Sequence, residues 1–388
     1  IGWLEKGQEE GLRVSIDSCR TRMMDAGGRP ECMGMSAPGR MRYVDSDLPL
    51  SAIIAITTGR VGRKRGLAGR MTAELLALDA EEGAAVSGLG MFEQGYYDRL
   101  GFGTGSYVPW VSLDPSDLEV DVLPRPPVRL GMDDFEDIHA GRLSRMPAHG
   151  ACSLDPPGLT KAEMIWSGRG FGLGYRDDSG GEITHHLWIN AGKDEHGPDT
   201  VWWMAYRNLD QLTELLGLLR QLGDQVHLVR LKEPVGIQIQ DLMNRPLKQF
   251  TVRKKSKYEA RVSAFAYWQL RICDLRKCIE AVRLPCGELS FNLELSDPVA
   301  GYLEEDAPWK GVGGRYVVTL GKDSGITEVP DENLPTLKAS VGAFSRMWLG
   351  VRPASGLAVT DDLSGPLELL AELDRAFLLP PPRFDWDY

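Results

Sequence analysis

The stretch Arg63-Lys64-Arg65-Gly66-Leu67-Ala68-Gly69-Arg70 decides how this chain is read. Before it stands the apolar, β-branched run Ala52-Ile53-Ile54-Ala55-Ile56, and after it comes Met71-Thr72-Ala73-Glu74-Leu75-Leu76 with helical spacing. That order reads strand, small-residue loop, helix, with the helix N-terminus aimed beyond the strand. The first N–H groups of a helix have no internal partner and lie at the positive end of its peptide dipoles, so one anion satisfies both. Gly66, Ala68 and Gly69 keep side chains out of the way. Arg60, Arg63, Lys64, Arg65 and Arg70 add a positive field with no acidic residue from 60 to 70, which suits a multiply charged phosphate ester. The plainer alternative is a solvated basic turn before an ordinary helix. Neither the Gly-Lys-Ser/Thr ending of a P-loop nor the Gly-x-Gly-x-x-Gly of a dinucleotide fold is present in the segment.

The chain has 388 residues, beyond the size at which one core stops growing, so two or three domains are expected. Its 43% hydrophobic and 26% charged content is that of an ordinary globular protein. A net charge of −11 argues against a general nucleic-acid binder and fits a cationic partner such as an amine. No run approaches the roughly 20 apolar residues of a membrane helix, and the start is not a secretion signal; a cytoplasmic location is expected. Cys19, Cys32, Cys152, Cys273, Cys278 and Cys286 form no Cys-x-x-Cys pair and read as reduced packing residues.

Along the chain, a first block ends near Leu123 at the stiff connector Pro124-Arg125-Pro126-Pro127. In the second block Asp133 to Ile138 reads as helix, Glu163 to Tyr175 and Gly181 to Ile189 as strands, and Thr200 to Tyr206 as an apolar strand. Asn208 to Leu222 carries leucines at 209, 212, 215, 216, 219 and 222, the period of a helix with one buried face. A third block begins near Pro285, where Glu288 to Leu295 and Gly314 to Leu320 alternate as half-buried strands. Leu334 to Leu349 and Pro366 to Phe377 read as helices, and Pro380 to Tyr388 as a stiff aromatic tail that ought to dock.

The loop also resembles the acyl-CoA loop of the GNAT acetyltransferases, Arg/Gln-x-x-Gly-x-Gly/Ala, filled here by Arg63, Gly66 and Ala68. About 30 residues on, Tyr96-Tyr97-Asp98-Arg99-Leu100-Gly101-Phe102 looks like the Phe-Tyr-x-x-x-Gly-Phe signature that follows the next strand in that family. The three-block layout resembles the Eis-type (enhanced intracellular survival) N-acetyltransferases. The stretches that carry this are Gln225 to Val229 with Glu233-Pro234, Leu270 to Leu275, Leu295 to Pro298, and Phe377 to Tyr388. The resemblance implies a mixed α/β, α+β architecture: a GNAT domain at 1–125, a second GNAT-like domain without the CoA loop at 126–284, and a sterol-carrier-protein-like domain at 285–388. The segment before the loop is short for a whole GNAT domain, so some N-terminal residues are expected to be absent.

That resemblance further implies acetyl-CoA as co-substrate, no metal, a primary amine acceptor of aminoglycoside or polyamine type, and a hexamer, without nucleic-acid or membrane partners. Ile56, Thr57, Thr58, Arg63, Lys64, Arg65, Gly66, Leu67, Ala68, Gly69 and Arg99 are the expected cofactor contacts. Tyr97 falls at the family's general-acid tyrosine, with Tyr96 expected to face another way. A phenol, with an ordinary pKa near 10 against about 8.5 for a thiol, stays protonated and can protonate a departing thiolate. The α-carboxylate of Tyr388, with Asp387 at an acidic penultimate position, is the expected base. The rival is a non-catalytic carrier whose third domain holds a lipid-like ligand on a GNAT scaffold.

Other features read as ordinary. Gly168 to Gly174 suits a glycine-bearing strand, and His185-His186 has no partner at a metal-ligand interval. Arg253-Lys254-Lys255-Ser256-Lys257 suits a solvated face, and Met23-Met24, Trp202 and Trp203 suit the core. The acidic run Asp114, Asp117, Glu119 and Asp121 receives no role.

Overall fold

A computed structural model describes residues 7–177, 180–245, 247, 256–285 and 287–388. Arg253, Lys254 and Lys255 of the basic run, and Cys286, lie outside the described residues. The chain begins with helix α1 (Glu9–Ser18), strands β1 (Arg20–Asp25), β2 (Pro30–Tyr43) and β3 (Ser46–Thr58), helix α2 (Leu67–Glu81) and strand β4 (Val86–Gly90). β2 and β3 form a long antiparallel hairpin, and α2 packs back on them through Leu67, Met71, Leu75 and Leu76. A strand, a crossover helix and a parallel strand make the β3–α2–β4 unit.

Three mixed α/β layers follow. β1 to β4 join Trp268–Ile272 and Gly103–Thr104 in the first sheet, with Cys152–Leu154 added on β2. The second sheet runs in the order Arg261–Phe265, Val108–Leu113, Val229–Lys232, Asp199–Ala205, Ile183–Asn190, Gly170–Arg176, Val128–Leu130. Five strands form the third, with Leu289–Ser296 at its centre. Thus Val108–Leu113 pairs in the second sheet and Trp268–Ile272 in the first. A short alternating strand shows which face is buried but does not name its neighbour.

The first and third units share one core. Tyr43 stacks on Trp348 with centroids 4.5 Å apart, and Leu270, Phe344 and Trp386 belong to the same buried cluster. The second unit has its own cluster, including Leu212, Leu215, Leu216 and Leu219 of the helix Leu209–Gln221.

Three readings need correction. Pro157–Trp166 is a helix, so Glu163 to Trp166 are not strand; proline at its first position pre-sets the helical φ. Thr336–Ser340 is a strand, and the following helix, Val341–Trp348, starts only where Ser340 Oγ accepts the Ala343 N–H at 3.2 Å. Met23 is 65% exposed on the edge strand β1 rather than in the core. The glycine-rich segment is a strand, Gly170–Arg176, and His185 and His186 bond Glu214 and Trp203.

Candidate active site

β3 and β4 pair in parallel from Leu50↔Val86 to Ile53↔Leu89, and there the ladder stops. β3 continues to Thr58 while β4 ends at Gly90, so the two strands part and leave a fork. On the other side of β3, Met33 pairs with Thr57 and Met35 with Ile54, so Ala55 and Ile56 face the single residue Gly34. Ala55 takes a φ of +51°. This is a β-bulge, which takes backbone groups out of the regular ladder and re-aims them.

A cavity of about 1250 Å³ opens at the fork. Of the expected contacts, Ile56, Thr57, Thr58, Arg63, Lys64, Gly66, Leu67, Ala68, Gly69, Arg99 and Tyr388 line it. Arg65 is exposed on the same loop but is not in the wall. Trp166 and Tyr302, from the second and third blocks, also line it and carried no sequence signal, because only packing brings them here.

At the start of α2, Gly66 has a φ of +76°, a left-handed conformation that a Cβ disfavours. Among the described residues no side chain caps the helix, and its first turn holds no acidic residue. The bond from Arg70 N–H to Gly66 O, at 3.1 Å, opens the helical ladder, so the N–H groups of Leu67, Ala68 and Gly69 precede it. Glu31 ties down the loop: its carbonyl accepts the Gly59 N–H at 2.7 Å and its carboxylate the Gly62 N–H at 3.2 Å. Among the described residues, Arg60, Arg63, Lys64, Arg65, Arg70 and Arg99 make no ion pair. An uncapped helix start amid unpaired cations fits a diphosphate.

The turn Tyr97–Leu100 follows β4. Tyr97 is 4% exposed, in the buried cluster that includes Ile53 and Leu89, where the strands part. Phe92 and Tyr96 meet its ring edge-on, at 5.9 and 4.9 Å between centroids. Burial pushes its phenol well above the ordinary value. Tyr96 does not face away: its half-buried ring lines the cavity, whereas the buried Tyr97 stands behind it and is not in the wall.

The tail docks across the first and second units. Arg145 donates to both carboxylate oxygens of Asp385 at 2.8 Å, and Trp386 donates to Glu163 at 2.8 Å while the Arg142 guanidinium lies 3.7 Å over its ring. Asp387 accepts from Lys232 at 2.8 Å and from the Tyr267 hydroxyl at 2.9 Å. Phe384 stacks on Trp268. These contacts lay Tyr388 along β4: its main-chain oxygen is 3.0 Å from where a Cβ on Gly90 would stand, and its hydroxyl is buried beside Gly88, without a hydrogen-bond partner among the described residues. Asp387 is therefore an anchor, its charge met by Lys232.

Cys32, Cys152, Cys273 and Cys278 are buried free thiols, and burial pushes their pKa values up. Among the described residues no group of three His, Cys, Asp or Glu could hold a metal, and no helix is long and apolar enough to cross a membrane.

No family model matches the chain. It is 28% identical over 360 residues to a Streptomyces avermitilis protein named as an uncharacterized N-acetyltransferase, covering 86% of this chain and 79% of that one. A crystal structure of a probable N-acyltransferase from Enterococcus faecalis V583 superposes with a TM-score of 0.78 at 17% identity, over 99% of this chain and 93% of the other. That of Eis1 from Mycobacterium abscessus gives 0.75 at 15% identity, over 99% of both. The mixed α/β fold of this chain is the fold of those two structures.

Proposed function

We propose that this chain is an acetyl-CoA-dependent N-acetyltransferase acting on the primary amine of a cationic small molecule of aminoglycoside or polyamine type. The observation that carries the reading is the uncapped, basic start of α2 opening into the same fork beside which Tyr97 is buried. The named relative and the shared fold support it. A cationic acceptor is supported by the net charge of −11 and by Glu93 in the cavity wall.

Acetyl-CoA supplies an acetyl group activated as a thioester. The Leu67, Ala68 and Gly69 N–H groups, with Arg63 and Lys64, hold the diphosphate. Backbone N–H groups of the segment Ile56 to Thr58, at and beyond the bulge, would face the carbonyl oxygen, where preorganised donors act on developing charge. Tyr97, kept protonated by burial, gives its proton to the departing sulfur. A main-chain carboxylate on Tyr388, laid along β4 by the tail, takes the proton of the amine. In this reading the three units divide near 125 and 284, the last is of sterol-carrier type, and six chains assemble in the cytoplasm.

The test is release of CoA thiol across a panel of primary amines. Tyr97→Phe should lower kcat by about 100-fold or more, with Tyr96→Phe much milder, since general-acid catalysis contributes about 10²–10⁴-fold. Near-wild-type turnover by Tyr97→Phe removes the acid assignment. Turnover that survives one residue appended after Tyr388 removes the base.

A further inference from the structure

Besides Tyr388 of the tail, the third unit reaches the cavity through Tyr302. The short turn Pro298–Tyr302 packs on α2, with Val299 fully buried beside Leu67 and Tyr97 in one cluster. The Tyr302 ring lies against Gly69: a Cβ built there would stand 2.9 and 3.1 Å from two ring carbons. Gly69 is in the first turn of α2, the turn whose free N–H groups precede the helical ladder. The ring thus lines the cavity at the diphosphate end, whereas Tyr97 is placed by the fork.

The placement of the turn is rigid. Asp297 accepts the N–H groups of Val299 at 3.1 Å and Val312 at 2.9 Å, and its carboxylate meets the Arg271 guanidinium at 2.5 Å. Both side chains of that pair are at most 1% exposed. Arg271 stands on Trp268–Ile272 in the first sheet and also donates to the Leu100 carbonyl, at the end of the turn that begins with Tyr97. A buried, multiply bonded ion pair therefore fixes the third unit's turn to the first unit's site. The Tyr302 ring is half-buried, lies against Gly69 and lines the cavity, and among the described residues its hydroxyl has no hydrogen-bond partner.

We propose that Tyr302 is a cofactor-binding residue contributed by the third unit, its ring packing against the nucleotide half of coenzyme A beside the diphosphate held at Leu67–Gly69. This rests on the acetyltransferase reading. A ring one residue from the diphosphate reaches the adenosine joined to it, and an aromatic face against a base supplies about 1–3 kcal/mol without hydrogen bonds. The third unit then completes the donor site.

The test measures binding and transfer side by side. Calorimetry with coenzyme A and with 3′-phosphoadenosine 5′-diphosphate should show each weakened about tenfold in Tyr302→Ala and unchanged in Tyr302→Phe, which keeps the ring. With S-acetylpantetheine, which lacks the nucleotide, kcat/KM of Tyr302→Ala should equal that of the wild type, showing that the variant is folded. Unchanged nucleotide binding in Tyr302→Ala, or an equal loss with S-acetylpantetheine, overturns the proposal. A wild type that binds neither nucleotide overturns the acetyltransferase reading itself, a different result from a variant-specific null.

Discussion

β3 leads into α2, and Asp199–Ala205 leads into Leu209–Gln221, but the two helices begin differently. Eight residues separate Thr58 from Leu67, and they include Gly66 in a left-handed conformation and four unpaired cations. Only Tyr206, Arg207 and Asn208 separate Ala205 from Leu209. There Asn208 accepts the Gln211 N–H at 3.0 Å, and the Gln211 side chain accepts the Arg207 N–H at 2.7 Å. The second start satisfies itself with side chains, as a capped helix does, and leaves no anion site. One start is open and costs the fold its cap; the other is closed and contributes stability.

The largest expected effect breaks the open start. Gly66→Val forces a β-branched residue to positive φ, a strain of about 1–3 kcal/mol, and should weaken acetyl-CoA binding by 10- to 100-fold in a calorimetric titration. Binding within twofold of wild type would show that the amides are not the site.

A smaller effect is expected in the second unit's side of the tail dock. His139, bonded to Thr160 and to the Asp155 carbonyl and 5.8 Å from the Trp386 ring, is held neutral by burial, its pKa lowered to about 4. The unfolded imidazole titrates near 6.5, so the stability it contributes is complete above that pH and falls as pH drops from about 6.5 to 4. The loss should be roughly 1–3 kcal/mol by denaturant titration at each pH, and His139→Gln should flatten that slope. An unchanged slope would move the acid sensitivity elsewhere.

The mildest change concerns the closed start. Asn208→Ala should lower stability by about 1 kcal/mol, read as a fall in Tm, with the KM for acetyl-CoA unchanged. A raised KM would mean that the two starts are not functionally distinct.

The strand, loop and helix around Gly66 were legible because their signals are local: a β-branched run, small residues, then leucines at helical spacing. The helix after Asn208 was legible for the same reason. The bulge at Ala55-Ile56 was not, since it depends on which β2 residues stand opposite. Nor was the exchange of Val108–Leu113 and Trp268–Ile272 between sheets, which side-chain alternation leaves open. Tyr302 and Trp166 come from more than 60 residues away and join the wall only through tertiary packing. The tail was expected to dock from its prolines and aromatics, while its clamps, Arg145 to Asp385 and Lys232 to Asp387, became visible only in the fold.

The most direct measurement is a crystal structure of the chain with coenzyme A. Diphosphate oxygens should lie about 3 Å from the N–H groups of Leu67, Ala68 and Gly69, with none near Leu209 to Gln211. Coenzyme bound elsewhere, with those three amides turned to other partners, would contradict it.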